Sequence, residues 1–231
     1  MLMGREEQII NERKRKLKEL RDSGVNPYPY TFDQKDLSED VKEKFKKLKN
    51  DERTKIKVQV AGRVMTVRNL GKLIFATIQD SKGSIQIILQ KGETTDASFS
   101  IFKKYVDTGD FVGCSGIVMK SRTGEVSILI KKSEILSKAI LPLPEKWHGL
   151  KDKEDRYRRR YLDLIMNPEV KEVFVKRAKI IGFIREFLNN RDFIEASTPA
   201  LQPLYGGTNA KPFKTHLNVL DMDVYLRLAP E

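Results

Sequence analysis

Few side chains in this 231-residue sequence could do covalent or metal chemistry. Cys114 is the one cysteine, beside only His148 and His216, so neither an internal disulfide nor a Cys/His zinc site can be built. A Cys–His nucleophilic pair would need an accessible thiol. Cys114 instead sits inside the apolar alternation FVGCSGIVMK, which makes it a small core residue. The other conspicuous groups bind rather than react. Arg156, Arg158, Arg159 and Arg160 crowd together with Tyr157 and Tyr161. Such a cluster can hold phosphates, or it can pair with Asp152, Glu154, Asp155 and Asp163 to lock two domains together. On residues alone, Gly206-Gly207 reads as a flexible turn and Glu231 as a strand-end charge. Phe75 reads as a strand residue of the core. The opposite phase, with Ile74, Ala76 and Ile78 inside, would leave it outward, where a ring can stack under an unstacked base.

The elements that would position these groups come in three blocks. Residues 1–50 form a basic helical extension, with Ile10, Leu17 and Leu20 on one stripe and Arg13, Lys14, Arg15 and Lys16 on the other faces. It reads either as a basic arm along a phosphate backbone or as a solvated helix, and Gly24, Pro27 and Pro29 stop it. From Ile56 the period becomes two. Val58, Val60 and Val64 open five short runs, and a helix near 97–105 separates the third run from the fourth. That order is the order of an OB-fold, a five-stranded barrel that binds single-stranded nucleic acid, here over 51–140. A linker over 141–167 follows. Residues 168–231 then hold the strongest helix, with Asn167 as N-cap, Pro168 at its first position, and a stripe of Val170, Phe174, Ala178, Ile181 and Leu188 expected to be buried. The class is α+β.

Lys and Arg number 44 against 32 Asp and Glu, a formal charge of +12. A surface of that sign suits a polyanion, nucleic acid ahead of membrane. The 39% apolar content can furnish a core, which excludes wholesale disorder. No run approaches the length of a membrane span, and the first residues lack the apolar stretch of a signal peptide. A cytosolic, soluble protein is expected.

Beyond composition, the last 65 or so residues resemble the start of a class II aminoacyl-tRNA synthetase catalytic domain. RAKIIGFIREFLNNRDFIEASTPAL, with Pro199 closing the strand, is similar to that class's first motif. GGTNAKPFKTHLNVLDMDVYLRLAPE resembles the lysyl-tRNA synthetases, as do LPLPEKWHGLKDKEDRYRRRYLDL and the barrel stretch VQVAGRVMTVRNLGKLIFATIQDSKGSIQIIL. Tyr205 departs from the proline common there, and Thr208-Asn209 from small residues. The resemblance implies an antiparallel-sheet catalytic domain beginning at about 168, of which this sequence holds the first motif and part of the amino-acid pocket. It implies that Glu231 and the carbonyl of Ala229 receive the amino acid's ammonium, and that Gly207 lets substrate approach the backbone. Glu231, where aspartyl and asparaginyl relatives carry glutamine, favours lysine. In the barrel it implies anticodon reading by Arg68, Phe75 and Gln86. The activity implied is ATP-dependent formation of lysyl-adenylate and transfer to tRNA(Lys), with ATP and Mg²⁺ ligands beyond residue 231 and a homodimer built through the first motif. No membrane partner is expected. The alternative is a stand-alone tRNA-binding barrel without catalysis.

Overall fold

The computed structural model describes residues 4–144 and 150–229. The chain divides into two compact units, Met1–Gly149 and Leu150–Glu231.

The first unit is a closed barrel of β1 (Arg53–Asn69), β2 (Leu73–Gln79), β3 (Ser84–Gln90), β4 (Phe111–Lys120) and β5 (Val126–Ser137), in the order β1-β2-β3-β5-β4. Only β3 and β5 pair in parallel. Alternation builds it: Val58, Val60, Val64, Ile74, Ala76, Ile78, Ile85 and Ile87 point inward and are buried. A register shift between Val64 and Thr66 breaks the parity of β1. Even-numbered residues face in as far as Val64, but beyond the bulge Thr66 opposes Thr77 and Arg68 opposes Phe75 on the outer face. One extra residue thus turns Arg68 outward.

Helices close the barrel. α3 (Asp96–Tyr105) drives Phe99 and Phe102 into the core. α1 (Arg5–Asp22) buries Leu20 and ends at Gly24, whose φ of 76° suits glycine alone. Its charged faces are not all solvated, as the stripe had suggested. Arg13 is buried, donating to the carbonyls of Thr108 and Leu141 at 2.9 Å each. Lys16 pairs with Asp107 at 2.7 Å. Beneath them lies Lys138, with no exposed side-chain surface, which bridges Asp107 at 2.6 Å and Asp110 at 2.7 Å. α2 (Ser38–Phe45) starts a few residues ahead of the VKEKFKKLKN stretch expected to be helical and buries Val41 and Phe45. Between α1 and α2 the chain runs along β1, with the amides of Lys35 and Asp36 donating to Gln59 O. Phe32 lies so close to Gly113 that a Cβ there has no room. Cys114 is buried among the core valines. Burial, and then Glu134, push its thiol up to about 12, which rules out a reactive thiolate.

The second unit holds α4 (Lys153–Arg158), α5 (Arg160–Met166), α6 (Pro168–Asn189) and a sheet of β6 (Leu201–Gln202), β7 (Lys214–Leu217) and β8 (Met222–Leu226) in the order β6-β8-β7. Asp163 is fully buried and gathers Arg156 Nε at 2.8 Å, Asn167 Nδ2 at 2.6 Å and Arg160. Arg158 takes Glu154 at 2.7 Å. The arginine cluster is therefore largely satisfied within its own segment. Asn167 holds the N-cap position, but its side chain makes no cap hydrogen bond to α6; its Nδ2 donates to Asp163 instead. The apolar stripe of α6, expected to be buried, is not: Phe174 is 41%, Ile181 38% and Leu188 38% exposed. The unit's one buried apolar side chain among the described residues is Val224, so there is no core for the stripe to enter. Among the described residues no helix is long and apolar enough to cross a membrane.

Candidate nucleic-acid interface and amino-acid site

Two rows of outward side chains run across the barrel strands. One is Thr66, Thr77, Gln86 and Ser127; the other is Arg68, Phe75, Ile88 and Leu129. All of them but the buried Ser127 line a groove of about 960 Å³. The three residues expected to read bases, Arg68, Phe75 and Gln86, all border it. Phe75 is the outward choice of the two phases. Its ring packs on a small apolar cluster of Ile88, Met119 and Leu129 outside the barrel core, and it remains partly exposed. A ring backed in this way and half-open has one face on which a planar group can stack.

Gln86 is held at both ends. Its Nε2 donates to Glu125 Oε2 at 2.9 Å, while its Oε1 accepts from Ser127 Oγ at 3.0 Å. A carboxylate only accepts, so Glu125 fixes which end of the amide is which. The second amide hydrogen and the second carbonyl lone pair stay available on one side chain. The Thr66 and Thr77 hydroxyls bond each other at 3.0 Å and add a polar ledge. Arg68 is exposed at the rim. Together these groups can stack one ring and hydrogen-bond its edge; nothing among them is placed for bond-making chemistry. Sequence periodicity did not single out Glu125, Ser127 or the apolar floor. They reach Gln86 through the parallel β3–β5 pairing, which no local pattern announces.

In the second unit, Gly207 has φ 88°, so the backbone itself requires glycine there. Gly206 is different, since a Cβ added to it meets nothing. Tyr205 packs on Tyr225 of β8 with ring centroids 4.8 Å apart, which ties the glycine turn to the sheet. Ala229 follows β8 and is half-buried. Glu231, the carboxylate expected to receive an ammonium, lies outside the described residues. On the sheet, His216 Nδ1 lies 3.2 Å from Asp223, which also pairs with Lys214. Among the described residues no group of three or more His, Cys, Asp or Glu could hold a metal ion.

Comparison with known proteins follows the same division. Residues 58–136 match the OB-fold nucleic acid binding domain, and residues 152–231 match the class II tRNA synthetases (D, K and N). A lysine–tRNA ligase from Methanoculleus marisnigri is 52% identical over 94% of this chain and 42% of its own length. Those from Fervidobacterium nodosum and Thermotoga maritima are 49% and 47% identical, over 94% and 95% of this chain and 42% and 44% of their own length. The chain thus spans less than half the length of these curated relatives. Over nearly all of its length it is similar to lysine–tRNA ligases, with the OB-fold match preceding the class II synthetase match.

Proposed function

We propose that this chain contributes the anticodon-reading barrel and the opening part of the amino-acid site to a lysine–tRNA ligase. The observation that carries the reading is the convergence of Arg68, Phe75 and Gln86 on one outward groove of an OB barrel. Phe75 stacks beneath an unstacked anticodon base, while Arg68 and the oriented amide of Gln86 hydrogen-bond its Watson–Crick edge. Each group suits RNA reading, because single-stranded loops present free ring faces and edges that a duplex hides.

The reaction proposed for the whole enzyme has two steps. The lysine carboxylate attacks the α-phosphorus of ATP, expelling pyrophosphate, and the lysyl group then passes to the terminal adenosine hydroxyl of tRNA(Lys). Glu231 and the carbonyl of Ala229 would receive the lysine ammonium, since a carboxylate selects it by a charge-assisted hydrogen bond. Gly207 would leave room for substrate at the backbone. Among the described residues no group of three or more His, Cys, Asp or Glu could hold a metal ion, and none of them is assigned to Mg²⁺. The exposed stripe of α6 is assigned to a homodimer interface, and the reaction to the cytoplasm, where translation proceeds.

Binding of the chain to an RNA stem-loop bearing a lysine anticodon tests the reading. Phe75→Ala should weaken that binding by roughly 5- to 100-fold, the loss of one stacking contact, and weaken stem-loops with unrelated loops much less. Equal losses for every loop would remove base reading from Phe75.

A further inference from the structure

Beside the groove, at the turn joining β1 to β2, three lysines from separate elements meet. Lys72 lies in that turn. Lys91 follows β3 and its amide donates to Lys72 O at 2.9 Å. Lys103 comes from α3 and its Nζ donates to Gly71 O at 3.3 Å. All three are exposed, and Leu70, Leu73 and Gln90, near Lys72 and Lys91 in the chain, line the groove. Among the described residues no carboxylate lies within 4.0 Å of any of these ammonium groups, whereas Lys16, Lys82, Lys131 and Lys138 of the same unit each sit on one.

We propose that Lys72, Lys91 and Lys103 form a phosphate track that receives the RNA backbone where the strand leaves the groove. The inference rests on the groove being an RNA site, and it adds a second kind of contact to it. Clustered like charges repel, so three cations without counterions leave a local positive field that a polyanion from solution can neutralise. The lysine ammonium is a point charge on a flexible stem. It suits a phosphate, whose position is all that matters, rather than a base edge, which demands fixed geometry. The track therefore supplies affinity and register, and the groove supplies sequence choice.

The experiment titrates the full chain with two RNA stem-loops, one with a lysine anticodon and one with an unrelated loop, across roughly 50–200 mM salt. For the triple variant Lys72→Gln, Lys91→Gln, Lys103→Gln, the slope of log affinity against log salt should fall in magnitude by about 2, from about 0.7 per single-strand phosphate contact. Both RNAs should weaken alike. A control, Lys14→Gln with Lys18→Gln on the exposed face of α1, should change the slope far less per charge removed. Melting temperatures, expected to be unchanged, confirm that the variants fold. An unaltered slope in the triple variant, or an equal loss per charge in the control, overturns the track. Those results leave the groove standing as long as Phe75→Ala still abolishes loop preference with its salt slope intact. Failure of the unmodified chain to bind either RNA overturns the groove, and the track with it.

Discussion

Asp80 sits in the turn between β2 and β3 and accepts from Ser38 N at 2.6 Å, from Ser38 Oγ at 2.8 Å, and from the amides of Lys82 and Gly83 at 2.9 Å each. Burial acts to raise its pKa, but these donors outweigh burial and hold the carboxyl below its ordinary value. A depressed carboxyl stabilises the fold above the unfolded pKa of about 3.9 and loses that contribution as pH falls through the folded value. Asp80→Ala should therefore cost about 1–3 kcal/mol at neutral pH. The gap between variant and parent in urea unfolding should shrink as the solution is acidified below about pH 4. A gap independent of pH would mean that packing, not the ionised carboxylate, is what the variant loses. The sequence marks Asp80-Ser81-Lys82-Gly83 as a turn, and it is one. That the same aspartate tethers α2 is invisible there, because Ser38 lies 42 residues away. Gln86 could be singled out by resemblance; its two clamps could not, for the same reason of distance.

Among the elements, β2, the first half of β1 and α3 were legible because each keeps a two- or 3.6-residue period against one core. β1 shows where periodicity stops. Continued past Val64, its alternation would send Arg68 into the barrel, and only the bulge returns it to the groove. α1 shows a second limit, since a buried arginine satisfied by distant carbonyls looks in sequence like any surface cation. The helix is accordingly a piece of the barrel's packing. Removing residues 1–24 would expose the site of Leu20, worth about 2 kcal/mol, take Arg13 from the carbonyls of Thr108 and Leu141, and strip Lys16 from the Lys138 network. A loss of about 3–5 kcal/mol follows, or roughly 6–20 °C in melting temperature for a domain of this size. Calorimetry of the truncated chain checks this, and an unchanged transition would make α1 a passive appendage.

On the scale of the whole molecule the two units differ in completeness of packing. The barrel unit buries nearly all of the apolar core, while the second keeps Val224 and leaves α6 open. The resemblance made the second unit nameable from its motifs, but a helical stripe in sequence does not say whether anything is present to cover it. Because the chain spans 42% of the length of its Methanoculleus relative, the 231 residues alone should give no lysine-dependent exchange of pyrophosphate into ATP. A chain extended to the relatives' full length should give it. Exchange by the shorter chain would place the adenylate chemistry within these residues and recast the second unit as a working catalyst.

The two faces of β2 divide labour along a single seven-residue strand. Ile74, Ala76 and Ile78 fill the interior, while Phe75 and Thr77 border the groove. Mutation can therefore explore one set while the other stays frozen. A barrel built this way can trade one binding preference for another at little thermodynamic risk, which makes it a scaffold on which new specificities are cheap to try.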